Sequence, residues 1–213
     1  SLTTGTQKNQ TYVSVGAVNA RGIIQNNDLD RYNFSVRNTT SMLNDKLTMD
    51  LSFMYSNVKE QNMLSQGEYA NPLVPVYLFP RGDDFSKYQY YERYDVDRNI
   101  KTQFWPLKEN GLSMQNPYWI TNRNMYTNKK DRFLASGSLK YTITDWLNVS
   151  GRVKLDKETI NSEKKMYAST LNVIAENSDK GAYVQSNKNT SQIYADAMLN
   201  INKYFYHDTW NLT

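Results

Sequence analysis

No cysteine occurs in the 213 residues, and histidine occurs once, at His207. The first absence excludes a disulfide framework, a thiolate metal site and a cysteine nucleophile, and the second excludes a multi-histidine metal centre. Neither fixes a compartment, because many exported bacterial proteins also lack cysteine. Long apolar runs are missing as well. The closest approach, Pro72-Leu-Val-Pro-Val-Tyr-Leu-Phe79, is short and broken by proline, whereas a membrane-spanning helix needs about 18 or more consecutive apolar residues. A helical membrane protein is therefore excluded. Apolar content is also low, at 39% with a mean hydropathy of −0.74. Charge of one sign is scarce: the net charge of +4 is spread along the chain and collects into no stripe, so no nucleic-acid footprint is visible. The opening Ser-Leu-Thr-Thr-Gly-Thr has neither a charged n-region nor an apolar h-region, which fits a removed signal or a start inside a larger protein.

What the chain does have is 17 Tyr and 25 Asn, with abundant Ser and Thr. Strand formers and polar turn formers dominate over helix formers, and the aromatic content argues against disorder. An all-β fold is expected. Period-two alternation supports it, most clearly where Leu47, Met49, Leu51, Phe53 and Tyr55 interleave with Thr48, Asp50, Ser52, Met54 and Ser56. Leu147 to Asp156 and Ile193 to Asn202 repeat the pattern. Strands are expected at about residues 11–19, 31–42, 47–56, 132–143, 146–156, 192–203 and 209–213, with a long excursion at about 61–130.

These strands run to about ten residues, the length a tilted strand needs to cross a bilayer, while globular strands cluster near five or six. Connections alternate in length. Tight turns are expected at Asn44-Asp45, Thr144-Asp145 and Tyr206-His207-Asp208, and long loops lie between them. An outer-membrane barrel has this arrangement, with periplasmic turns and extracellular loops. Charges agree with it, since Asp50, Lys140, Arg152, Lys154, Asp156 and Asp196 all fall on the polar parity. Leu51, Val149, Val153, Leu199 and Ile201 are thus expected to face lipid, and Asp50, Ser52, Asn148, Arg152 and Asn200 the lumen. A soluble carbohydrate-binding β-sandwich also keeps charge off its inner face and stays open as an alternative, as does, further behind, a β-structured glycan-degrading enzyme. Six strands and part of a seventh close no barrel of useful size, and an open edge is not tolerated in hydrocarbon. The expectation is a segment of a larger barrel.

Specific strings then carry a resemblance. Asn19-Ala-Arg-Gly-Ile-Ile-Gln-Asn26 followed by Arg31-Tyr-Asn-Phe34, then Asn116-Pro-Tyr-Trp119, Asp131-Arg-Phe-Leu134 and Thr144-Asp-Trp-Leu147, resemble stretches of the SusC/RagA family of TonB-dependent outer-membrane transporters of Bacteroidetes, in order and spacing. Gln25 departs from the pattern, standing where many members carry proline. The resemblance implies import of a bulky nutrient, an oligosaccharide or oligopeptide, across the bacterial outer membrane. It further implies a SusD-like surface lipoprotein as partner, outer-membrane lipid around the wall, and TonB acting through a plug and TonB box outside this chain. No catalytic residue, metal or cofactor is expected.

The excursion at 61–130 holds the candidate contact residues, because flat aromatic faces with hydrated polar tips suit sugar, peptide and partner surfaces. Trp105 and Trp119 lead, each with a proline close by (Pro106, Pro117), followed by Tyr118, Tyr90 and Tyr91. The competing reading is that these rings give a long loop its own small core. The acids Asp83, Asp84, Glu92, Asp95 and Asp97 lack the spacing of a calcium loop or a catalytic pair and read as loop charge. Arg81-Gly-Asp83 reads as a turn after Pro80, and Lys129-Lys130 with Arg132 as a solvated rim. His207 falls in an expected turn away from the loops, so no Ser-His catalytic arrangement is supported.

Overall fold

A computed structural model describes residues 1–63, 67–105, 114–205 and 210–212. The fold is all-β. Its main body is one antiparallel sheet of seven strands: β1 (Leu2–Gly5), β2 (Asn9–Arg21), β3 (Asp28–Met42), β4 (Leu47–Gln61), β7 (Asn124–Thr144), β8 (Leu147–Met166) and β9 (Ala182–Ile201), adjacent in that order. Between β4 and β7 the chain forms α1 (Leu73–Tyr77), a short 3-10 helix (Phe85–Gln89), a hairpin of β5 (Glu92–Asp95) and β6 (Ile100–Gln103), and α2 (Pro117–Arg123). The last expected strand pairs as β11 (Trp210–Leu212) with β10 (Lys203–Phe205) in a separate hairpin instead of extending the large sheet. The turn expected at 206–208, with His207, lies outside the described residues.

All short connections of the large sheet lie at one end, at residues 6–8, 43–46 and 145–146, and all long ones at the other, at 22–27, 62–123 and 167–181. In the turn after β3, Leu43, Asn44 and Asp45 all take positive φ (53°, 53° and 67°). Asn and Asp tolerate that region at low cost, which is why the reversal falls here. The Ser41 hydroxyl fastens it by donating to Asp45 at 2.6 Å.

The register puts Leu51, Gly137, Val153 and Ala195 in one row, pairs Val149 with Leu199 and pairs Leu147 with Ile201. Asp50, Ser138, Arg152 and Asp196 form a row on the opposite face, where Asn148 also pairs with Asn200. The two sets separated by alternation therefore do lie on opposite faces. Ion pairs tie strands across the polar face, Arg37 to Asp50 at 2.8 Å, Arg132 to Asp156 at 2.6 Å and Arg152 to Asp196 at 2.6 Å. Among the described residues nothing covers the apolar face: Val153 is 56% and Leu199 62% exposed.

The apolar belt is oblique to the rungs of the sheet. Its edge toward the long connections passes through Ile193 and Leu155 in one row, Phe133 and Tyr55 in the next, and Tyr32 and Ala17 in the row after. Two rows are about 14 Å along a strand and the five strand-to-strand steps about 24 Å, so the edge is inclined by about 30°. Below the climbing belt on β2 and β3 the same face turns polar, and Asn38 donates to Thr11 at 2.8 Å and to Asn9 at 2.9 Å.

The long strands continue past the belt. β8 runs to Met166 against an expected end near 156, β9 begins at Ala182 against 192, and β7 at Asn124 against 132. Both faces are polar there, so alternation vanishes while the backbone ladder persists, supported by cross-strand pairs such as Thr159 to Asn189 at 2.8 Å and Asn128 to Glu60 at 3.1 Å. The excursion is correspondingly shorter than expected.

Candidate functional site

At the long-loop end, residues from the excursion and from 167–181 fold into a body with its own core. Among the described residues every buried side chain lies in this body or at Met166, the end of β8. Asn116 organises it. Its side-chain oxygen accepts from the Tyr118 N–H at 2.8 Å and caps α2, with Pro117 in the first turn, where a missing N–H costs nothing. Its amide donates to the carbonyls of Tyr88 at 2.8 Å and Phe104 at 3.1 Å, tying the helix to the 3-10 turn and to the hairpin. Gln115 bridges further, donating to the Tyr69 carbonyl at 2.9 Å and accepting from the Leu171 N–H at 3.1 Å.

Rings fill the rest. Phe79 packs edge-on against Phe85 and Tyr88 at 4.9 and 5.3 Å, and Tyr88 against Trp105 at 5.4 Å. Trp119 is fully buried and donates from Nε1 to Thr170 Oγ1 at 3.0 Å, and Thr170 donates on to Asn124 Oδ1 at 2.7 Å. This relay joins α2, the 167–181 loop and the first residue of β7.

The five candidates therefore separate. Trp119 at 0% and Trp105 at 4% exposure are interior packing and present no face to a ligand. Tyr118 and Tyr91 are half-buried, and Tyr90 stands out at 66% exposure. Pro117 belongs to the helix start, and Pro106 lies outside the described residues. The loop acids are held locally: Asp83 accepts from Tyr88 at 2.8 Å, Asp84 caps the 3-10 helix through Ser86 N at 3.0 Å, and Asp95 accepts from Arg98 N at 3.1 Å. The hydrogen bond from Tyr88, then that from the Asp84 N–H, holds the Asp83 carboxyl below the usual carboxylate range. Glu92 is clamped between Arg123, at 2.7 Å, and Lys101, at 2.5 Å. Among the described residues no group of three or more His, Cys, Asp or Glu could hold a metal ion.

Where this body meets the sheet lies an open cavity of about 600 Å³, none of whose walls comes from the five candidates. Ile24, Met63, Ile120, Met166 and Ile174 supply apolar wall, and Asn124, Tyr126 and Lys164 supply polar groups. Asn124 pairs with Met166 and Tyr126 with Lys164, in rows on the face that carries Asp50 and Arg152, so the cavity opens over the polar side of the sheet. The Asn124 Nδ2 group is buried without a hydrogen-bond partner among the described residues. A site of this size, mostly apolar with a few convergent polar groups, suits a portion of an organic ligand. No sequence signal marked it, because its polar members lie on strand extensions that alternation does not reach. No protein-family model matches the chain, and no curated protein matches it.

Proposed function

We propose that this chain is a stretch of the wall and mouth of an outer-membrane β-barrel importer of the SusC/RagA type, working on an oligosaccharide or oligopeptide together with a SusD-like lipoprotein and driven by TonB through parts beyond this chain. The observation that carries the reading is the uncovered, oblique apolar belt. Strands in a barrel tilt by about 35–45°, so a belt level with the membrane has to cross the rungs at an angle. On β4 the belt runs from Leu47 to Tyr55, about 27 Å along the strand and roughly 20 Å along the normal at that tilt, close to the ~25 Å apolar band of such barrels. Tyr55, Phe133 and Tyr32 stand at its outer edge, where aromatic girdles sit. A sandwich would bury this face against a second sheet. The quoted strings support the family, the turn and loop asymmetry supports the orientation, and the cavity with exposed Tyr90 supports contact at the mouth. In this reading the chain carries no catalytic group and no cofactor.

The absence of cysteine makes the test direct. In the whole protein in its membrane, Val153→Cys is expected to resist a polar maleimide and to react with a lipid-soluble one, while Arg152→Cys, on the polar face, reacts with the polar reagent. Equal labelling of the two by the polar reagent would overturn the wall.

A further inference from the structure

Above the belt, the outward face carries a second pattern that alternation did not reveal. Lys157 lies one row beyond Leu155 on β8, and Lys129 and Lys59 lie two rows beyond Phe133 and Tyr55 on β7 and β4. The lysines therefore climb in the same direction as the edge of the belt, by two rows from β8 to β7 and β4 where the edge climbs one. Lys59 and Lys129 are directly paired across β4 and β7, a like-charge juxtaposition that is unfavourable by itself. All three are exposed, and none has a hydrogen bond or ion pair among the described residues.

Nearby acids attract Lys59 and Lys129 electrostatically, and Asp30 stands directly opposite Lys59, but each accepts its hydrogen bonds from other donors and none forms an ion pair with these lysines. Asp30 accepts from Asn19 at 2.9 Å and Arg21 at 3.1 Å, Asp131 from Tyr55 at 2.6 Å and Asn57 at 2.7 Å, and Glu163 from Tyr183 at 2.8 Å. Lys130 and Arg132, in the same basic run, take the opposite or lumenal parity, and Arg132 is satisfied by Asp156. Of this run Arg132 is paired on the inward face, whereas neither inward Lys130 nor outward Lys129 has an ion pair among the described residues.

We propose that Lys59, Lys129 and Lys157 form a cationic contact for the anionic saccharide head groups of outer-leaflet lipopolysaccharide. The proposal rests on the wall reading, which puts these ammonium groups just outside the hydrocarbon, at head-group height. Phosphate or carboxylate groups there would relieve the Lys59–Lys129 repulsion, and basic side chains at a charged membrane surface add attraction that falls off within a Debye length.

The test uses the whole protein extracted in mild detergent and titrated with purified lipopolysaccharide at low salt in the presence of a chelator. Lys59→Gln/Lys129→Gln/Lys157→Gln is expected to bind about tenfold more weakly, and 0.5 M salt is expected to weaken wild-type binding similarly. The lumenal control Lys140→Gln/Lys154→Gln should bind like wild type. Unchanged binding by the triple variant, with Val153→Cys still shielded from the polar maleimide, overturns this proposal alone. Free labelling of Val153→Cys overturns the wall and the lipid contact together.

Discussion

In the sheet, Leu51, Val153 and Leu199 stand exposed on a face that no described element covers, whereas in the loop body Trp119, Gln115 and Asn116 are sealed from solvent. One chain thus uses two different ways of gaining stability from apolar surface. The loop body buries its rings against one another and satisfies its polar groups internally, as any water-soluble domain must. The sheet satisfies its backbone through the antiparallel ladder and leaves its apolar face to be matched by its surroundings. An uncovered face of six strands by nine residues amounts to roughly 800 Å², larger than the biggest apolar patch of an ordinary monomer. Packing then sets the architecture of the loops and, in the proposed reading, the surrounding medium sets that of the sheet.

Trp119→Ala probes the first half of this contrast. It removes a fully buried indole and the hydrogen bond that the Thr170 hydroxyl accepts from it, so a loss of about 3–5 kcal/mol is expected. The loss should be local: limited proteolysis ought to cut residues 67–105 and 167–181 far faster while the sheet stays resistant. Equal sensitivity of sheet and loops would show that the two regions are one cooperative unit.

Val153→Arg probes the second half with a somewhat smaller effect. Val153 lies in the middle row of the belt, beside Gly137 and Ala195, and a charge there is expected to cost about 2–4 kcal/mol in a bilayer. Lys154→Val, one residue along on the polar face, should stay within about 0.5 kcal/mol. Urea titration of the protein refolded into lipid vesicles measures both. If the order of the two effects is reversed, the apolar face is not the lipid face.

Much of the sheet was legible because one face is apolar and the other polar: the cores of β4, β8 and β9, the turn at 43–46 and the parity of Leu51 against Asp50 all follow from period two. The strand extensions were not, since Thr159, Asn161 and Asn189 leave both faces polar there and no periodicity survives. β1, four residues long, is too short to show one. In the loop body, composition announced aromatic packing but not which ring would be interior. Trp119 is buried because Asn116 caps α2 and turns the following residues into the cluster, a three-dimensional outcome of a four-residue string. The cavity beside Asn124 was invisible for a related reason, as its walls come from five separate chain segments.

The smallest expected effect concerns how the β5–β6 hairpin is attached to α2. Glu92 receives hydrogen bonds from Arg123 Nε at 2.8 Å and Nη2 at 2.7 Å and from Lys101 at 2.5 Å, while the Arg123 guanidinium also lies over the Tyr167 ring at 4.8 Å. Partial burial pushes the Glu92 carboxyl upward, but the hydrogen bonds from Lys101 and Arg123 prevail and hold it below the ordinary carboxylate range. A carboxyl depressed in the folded state stabilises that state above its unfolded pKa, about 4.3, and loses the contribution as pH falls from there through the lowered folded value. The contribution is expected to be about 1 kcal/mol, because Lys101 is well exposed and the cluster is partly screened. Hydrogen exchange of the Arg93 and Thr102 amides, corrected for intrinsic rate, should show the hairpin of wild type better protected than that of Glu92→Gln from pH 8 to about 5. The difference should vanish toward pH 3. A difference that persists at pH 3 would mean that the hairpin is held by the neutral side chain's packing, and that this part of the loop body, like the ring cluster beneath it, relies on burial instead of charge.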